Sequence, residues 1–458
     1  MGVQPQRIAI KPVPRGLKGG HTSPRTFICI DLKSFYASAE CAARGYDPFT
    51  TNLVVADPER SRNTICLAIT PAMKAAGVKN RCRVGQIPSA MNYIVAKPRM
   101  AYYMGVSARI VAIYRRYIDP ADIHVYSVDE VFIDATAYLD YYAEAPRQLA
   151  RDLIDAVYRE TGIAATAGIG PNAFVAKAAL DVLAKHEPDG IAELDEHGFR
   201  QRLWFHRPIT DIWMISGGTA RRLAKRGVYD LAGVCALDPQ VVRREFGKVG
   251  EYLIDHAWGL ENATLQGMRS IRPKSRSLSC GQVLMRDYSF SEAATVVSEM
   301  ADEVLLDLAS QNLAAREISL FVGYSANVAT MPPRVRVLVP SGVTRYDLGH
   351  TGSSKRLPTP CDLPAILKAR ILGCFEKTTF RDVPIRRIMI CLGRLTSTSN
   401  LQAALFDDVA AQERQRSLAK TWGAVRRRYG KDALLHASSL LPEGTARMRA
   451  HQVGGHHE

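Results

Sequence analysis

The apolar residues of this chain fall into short runs separated by amphipathic stretches, and the period of each run predicts its element. FICIDL (27–32) is short, apolar and rich in β-formers, as a buried strand is. Ser34 then stands where an N-cap belongs, and SFYASAECAARG reads as a helix. LVVA (53–56) and TICLAI (64–69) are further strand candidates. Pro71 is placed as the first residue of a helix through AMKAAG, because its ring presets the helical φ. A longer helix is expected over 99–117, and IHVYSVDEVFIDAT (123–136) reads as two strands meeting near Ser127–Glu130. Residues 146–161 read as a helix, 164–170 as a strand and 172–185 as a helix. Strands with helices between them predict a sheet covered by helices.

Beyond residue 204 the pattern changes to short helices up to about 260, with a Gly217–Gly218 turn of the helix-hairpin-helix kind. Backbone N–H groups at such a turn can hold a DNA phosphate. A basic connector, MRSIRPKSRS (268–277), leads to a second α+β unit. Its expected elements are strand QVLMRDYSF, a helix over 291–312, strands EISLFVGYS and RVRVLVP, a helix over 363–376 and strand IRRIMICLGRL. The tail carries LQAALFDD (401–408), a basic helix, and a Gly/His end that reads as a disordered terminus.

The length, 458 residues, calls for two to four domains, and a composition of 47% hydrophobic and 23% charged residues is that of a globular chain. No run reaches the roughly 18–20 apolar residues of a membrane helix. The first 25 residues lack the apolar core of a secretory signal and read as a flexible lead-in, which points to the cytoplasm. The nine cysteines form no CxxC pair and fit ordinary thiols in a reducing compartment. The net charge of +15 favours a polyanionic partner, nucleic acid first, against the plainer reading of a basic enzyme. Between Arg269 and Leu395 there are 18 Lys/Arg and 11 Asp/Glu, so this unit carries about half of the surplus and suits a surface resting on phosphates.

Three carboxylates then need explaining. Asp31 ends an apolar strand, and Asp129–Glu130 sit inside another apolar run. Buried charges are costly unless paired or metal-bound, and an all-oxygen donor set selects Mg²⁺ or Mn²⁺ over zinc. Neighbouring residues of a regular strand point to opposite faces, so Asp129 and Glu130 share a site only if the chain turns or bulges between them. The competing reading is a solvated hairpin tip. Phe35 and Tyr36 could pack against a nucleotide sugar or be core aromatics. Lys74 and Lys177 could reach a triphosphate or be solvated helical lysines.

Together, FICIDLKSFYASAE, YSVDEVFIDAT and GIGPNAFVAKAALDVLAKHEPDGI resemble the Y-family, or lesion-bypass, DNA polymerases, nearest their polymerase V-like, UV-damage-repair branch. The resemblance implies an α+β, multi-domain right hand. Palm and fingers would share 26–200, a helical thumb would take 201–265, a basic linker 266–277, a DNA-binding little finger 278–396 and a tail 397–458. It implies two Mg²⁺ ions (Mn²⁺ as alternative) on Asp31, Asp129, Glu130 and the Leu32 carbonyl. Tyr36 would be the steric gate with Phe35 beside it, and Lys177 the triphosphate lysine. Lys74 falls where many members carry Arg, and Pro71 where many carry a phosphate-binding Tyr. The thumb reads Trp213-Met214-Ile215-Ser216 where members commonly read Trp-Gly-Ile-Gly.

Gln402-Ala403-Ala404-Leu405-Phe406 resembles the peptide by which bacterial polymerases dock on the sliding clamp. The expected partners are thus primer–template DNA, deoxynucleoside triphosphates and the clamp, with no membrane; an accessory subunit or recombinase filament is left open. Low fidelity is expected, since no segment reads as a proofreading exonuclease. Two rivals remain: a polymerase-shaped accessory protein that binds DNA and the clamp without catalysis, and a nucleotide cyclase on a similar palm sheet.

Overall fold

The computed structural model describes residues 25–59, 62–143, 145–271, 277–325, 349–402 and 407–457. The chain divides after Ile271 into two compact units.

In the first unit, β1 (Phe27–Leu32) leads into α1 (Phe35–Ala43) through a tight turn. Ser34 stands at the N-cap position, but in the left-handed region at φ 51°, and its side chain makes no capping bond. The expected Ser cap is therefore a turn residue instead. A small sheet follows, formed by β2 (Leu53–Val55), β3 (Ala68–Ile69) and, after α2 (Pro71–Ala75), β4 (Ile94–Ala96). Pro71 opens α2, and Val54, Ile69 and Met73 belong to a separate small core.

Next come α3 (Met100–Tyr114), the hairpin β5 (Ile123–Val125) and β6 (Glu130–Asp134), α4 (Thr136–Tyr142), α5 (Pro146–Thr161), β7 (Ala165–Gly170), α6 (Ala173–Ala178) and β8 (Ile191–Glu193). They build a five-stranded sheet in the order β5-β6-β1-β7-β8, with β1 antiparallel to both neighbours. Side chains alternate across β1. Ile28 and Ile30 join α3 and α5 in one core, whereas Phe27 and Cys29 face the core containing α6. The second face is closed by glycine. A Cβ on Gly168 would lie 2.1 Å from the Ala176 carbonyl oxygen, and one on Gly170 would lie 2.7 Å from the Ala176 nitrogen. Only a bare backbone lets α6 lie this close to β7. A π-helical stretch, Ala179–Ala184, continues α6.

Helices α7 (Glu196–Leu203), α8 (Gly217–Ala224), α9 (Leu231–Ala236), α10 (Pro239–Phe246) and α11 (Lys248–Ala257) share the α6-side core through Leu203, Trp204, Leu223 and Ile254. Residues read from sequence as the start of the connector form α12 (Leu265–Ser270) instead. Arg269 explains its position, donating to the carbonyls of Pro120 and Ala121 at 2.9 and 2.8 Å and to that of Ile123.

The second unit holds β9 (Leu278–Tyr288), α13 (Phe290–Ser310), β10 (Leu313–Tyr324), β11 (His350–Cys361), α14 (Pro364–Thr378) and β12 (Ile385–Gly393). Its sheet runs β11-β10-β12-β9, all antiparallel, with the helices packed on one side. The β11 strand went unread because it is polar and carries Pro358 and Pro360, residues a strand tolerates at an edge. The expected strand RVRVLVP lies outside the described residues. The tail is not loose. A helix, α15 (Val409–Tyr429), is pinned by the Arg416–Asp362 pair at 2.7 Å. Further on, the backbone N–H groups of Thr445 and Ala446 donate to the buried Glu299 carboxylate at 2.8 and 3.1 Å. The Gly/His end, read as disordered, pairs Gln452–Val453 with His456–His457.

Candidate active site

The carboxylates gather where β1 meets the β5–β6 hairpin. Asp31 and Glu130 are register partners across neighbouring strands, which puts their side chains on one face. Asp129 precedes β6 and lies in the turn, its carbonyl accepting from the Leu32 N–H at 3.0 Å. The N–H groups of Tyr126 and Ser127 both bond the Glu130 carbonyl, and the Ser127 hydroxyl donates to Asp129 Oδ1 at 2.5 Å. The turn therefore breaks the strand alternation that had argued against a shared site.

The electrostatics are those of a cluster short of positive charge. Burial raises the Asp31 carboxyl to about 7; Lys185 pulls it down, and Asp129 and Glu130 push it up further. Glu130 has two partners: Lys177 Nζ lies 2.9 Å from Oε1 and 3.0 Å from Oε2, and the Cys29 thiol donates to Oε1 at 3.2 Å. Lys177 is itself buried and also donates to Asp181 at 3.1 Å. Burial alone would lower its pKa, but Asp181, Cys29 and Glu130 hold it above the ordinary value.

The resemblance implies a triphosphate contact for Lys177; in the fold its Nζ lies on Glu130. The lysine left open is Lys185, two helical turns on. It donates to Asp181 at 3.1 Å, keeps 47% of its side chain exposed and is the largest cationic influence on Asp31. Its signal in the sequence was the Lys177-Asp181-Lys185 spacing, which puts all three on one helical face. Lys74 also faces this rim. Desolvation lowers its pKa, Asp31 raises it and Lys185 lowers it again. Pro71, one turn before it, supplies no polar side chain.

Tyr36 lies next to Phe35 at the start of α1, with ring centroids 5.5 Å apart; Phe35 is buried and Tyr36 half-buried. Burial raises the Tyr36 hydroxyl, Asp129 raises it further and Arg81 lowers it, so the ring stands between the acidic rim and the segment around Arg81. The helical hairpin is tied to the acidic hairpin, since Trp213 Nε1 donates to the Tyr126 hydroxyl at 3.3 Å. Met214 adopts φ 67°, the left-handed conformation glycine takes without cost, so the backbone is strained there. Ser216 caps α8 through Thr219 N–H at 3.4 Å, and Gly217 and Gly218 leave that helix end exposed.

Asp31, Asp129 and Glu130 offer only oxygen donors, the chemistry of Mg²⁺ or Mn²⁺, and burial with two neighbouring carboxylates raises the Asp31 pKa. Among the described residues no three His, Cys, Asp or Glu side chains stand close enough to hold an ion as they are. Lys177 and Cys29 engage Glu130, so that carboxylate must turn or be shared before it can ligate. Of the expected clamp peptide, Gln402 is exposed; Leu405 and Phe406 lie outside the described residues. No described helix is long and apolar enough to cross a membrane.

Residues 30–181 match the impB/mucB/samB family, and residues 275–405 match the C-terminal domain of that family. The chain belongs to this family, the Y-family polymerases of UV-damage repair, and its enzyme class is that of the DNA-directed DNA polymerases. Among its relatives is the "Putative UV-damage repair protein UvrX" of Bacillus subtilis (strain 168), 30% identical over 94% of this chain and 97% of that protein. "DNA polymerase IV 2" of the same organism is 28% identical over 95% and 99%. Among solved structures, the "Y-family DNA polymerase chimera Dbh-Dpo4(243-245)-Dbh" superposes with a TM-score of 0.60 at 18% identity, over 81% of this chain and 99% of that one. That likeness concerns the right-hand fold.

Proposed function

We propose that the chain is a low-fidelity, template-directed polymerase that extends a primer 3′-OH with deoxynucleoside triphosphates and continues past damaged template positions. The observation that carries this reading is the pairing of Asp31 with Glu130 on one sheet face, with Asp129 in the adjoining turn and two lysines facing Asp31. Asp31, Asp129, Glu130 and the Leu32 carbonyl would hold Mg²⁺, with Mn²⁺ as the alternative. When bound there, such ions would supply activation of the attacking hydroxyl and stabilisation of the leaving pyrophosphate.

The chain's residues do the rest. Lys185 and Lys74 bind the triphosphate as point charges, and Lys177 holds Glu130 in position. Tyr36 fills the space of a ribose 2′-OH, with Phe35 packed beside it. The open end of α8 takes a backbone phosphate of the duplex. Gln402, Leu405 and Phe406 dock on the sliding clamp as an extended peptide.

Primer extension tests this. Wild type extends and passes an abasic position, whereas Asp129→Ala and Glu130→Ala bind primer–template and do not extend it. Lys185→Met raises KM for the nucleotide more than Lys177→Met does. Phe406→Ala loses only the clamp-stimulated part. Full extension by Glu130→Ala would remove the catalytic assignment. A wild type that binds primer–template and clamp but never extends would favour the accessory reading.

A further inference from the structure

The ring of Tyr36 does not stand alone. Tyr103, fully buried on α3, stacks on it with centroids 4.5 Å apart and planes 16° from parallel. Tyr103 is in turn fixed from behind. Its hydroxyl donates at 2.8 Å to Oε1 of Glu40, a fully buried carboxylate on α1. Arg99 grips the same carboxylate with both arms of its fork, Nε to Oε1 at 2.9 Å and Nη2 to Oε2 at 3.0 Å. Arg44, four residues on, pairs with Oε2 and also donates to the Glu40 carbonyl at 2.9 Å. The Arg99 guanidinium lies 4.3 Å over the Tyr102 ring.

This arrangement is more than a core contact requires. Apolar packing would hold a tyrosine ring without burying a carboxylate beneath it. A carboxylate in a dry interior is costly unless every oxygen is satisfied. Here the hydrogen bonds are directional, so they fix the rotation of Tyr103 as well as its position. A ring stacked on Tyr36 at this distance limits how far Tyr36 can swing back into the core.

We propose that Glu40, Arg99 and Tyr103 form a latch that sets the position of Tyr36 and so the strictness of sugar selection at the nucleotide site. They are positioning residues and touch neither nucleotide nor metal ligand. The inference rests on the reading of Tyr36 as the gate. Loosening the latch lets Tyr36 retreat and a 2′-OH enter, whereas the acidic rim is untouched.

The test is the ratio of kcat/KM for a deoxynucleotide to that for the matching ribonucleotide, which a loss of folded protein would not change. Tyr103→Phe keeps the ring and removes only its bond to Glu40. It is expected to lower the ratio on the order of tenfold, the size of one hydrogen bond to a charged group. Glu40→Gln, which keeps an acceptor, lowers it less, and Arg99→Lys, which loses the fork, falls between. The same changes are made in a Tyr36→Ala background, where the latch has nothing to position and the ratio should not move further. If Tyr36→Ala alone leaves the ratio unchanged, the gate reading itself fails. If Tyr36→Ala lowers it but Tyr103→Phe does not, the latch is overturned and the gate stands. An equal effect of Tyr103→Phe in both backgrounds also overturns the latch.

Discussion

Two carboxylates of the first unit, Asp31 at the end of β1 and Glu40 on the inner side of α1, show opposite treatments of a buried charge. Glu40 is fully buried, yet its pKa lies below the ordinary value: burial pushes it up, and the hydrogen bonds of Arg99, Arg44 and Tyr103 more than offset that. Asp31 is pushed the other way, to about 7, by burial and by Asp129 and Glu130, and Lys185 only partly compensates. Among the described residues no hydrogen bond satisfies its side chain. A carboxylate with every oxygen bonded reads as a structural part, and a buried one with a raised pKa beside two others is a candidate functional group. Glu130 stands between these cases, since Lys177 and Cys29 occupy it but on the same acidic face.

The comparison can be broken by exchanging roles. Glu40→Ala leaves the buried Tyr103 hydroxyl without its acceptor, while the part-exposed Arg44 and Arg99 turn to water, and should cost about 1–3 kcal/mol of folding stability, the scale for stranding a buried polar group. A melting curve showing no loss would mean that Glu40 is not a structural hub. Asp31→Asn should do the reverse in metal-free protein. With the folded carboxyl raised from 3.8 to about 7, the native state keeps a proton that the unfolded chain has lost. Stability therefore falls as pH rises between those values. Asp31→Asn removes that slope and melts higher than wild type at pH 8; an unchanged slope would contradict the charge-poor rim. The smallest effect is metal-linked. Mg²⁺ at about ten times its dissociation constant should stabilise wild type by about 1.4 kcal/mol, more at pH 8 than at pH 6, because ligands must be deprotonated. Asp31→Asn should show little of this shift.

Much of this site was legible because its signals are local. FICIDL reads as a strand whatever surrounds it, and the acidic pair inside an apolar run demands a reason from the sequence alone. What bears on the choice between a shared site and a solvated hairpin tip is not local. The turn at Ser127–Asp129 and the register of Asp31 with Glu130 bring the carboxylates to one end of the sheet. The lysines illustrate the same limit. Lys177 and Lys185 share a helical face and a residue type, and only the fold shows one buried on Glu130 and the other open. In the second unit, the polar edge strand β11 lacks the alternation by which strands are recognised. The fixed stretch at Thr445–Ala446 went unread because its anchor, Glu299, lies far back in the chain. Ser34 has the right residue type for a helix cap and the wrong backbone conformation for it, which no pattern of residue types reveals.

The most direct test of the central claim is single-turnover incorporation of one deoxynucleotide on a primer–template at fixed Mg²⁺. Wild type and Asp31→Asn would be compared, with primer–template affinity measured on the same samples. Loss of one charged oxygen from the rim should slow incorporation on the order of a thousandfold or more while affinity stays within about threefold. Incorporation by Asp31→Asn at the wild-type rate would contradict the assignment of this acidic rim as the centre of DNA synthesis.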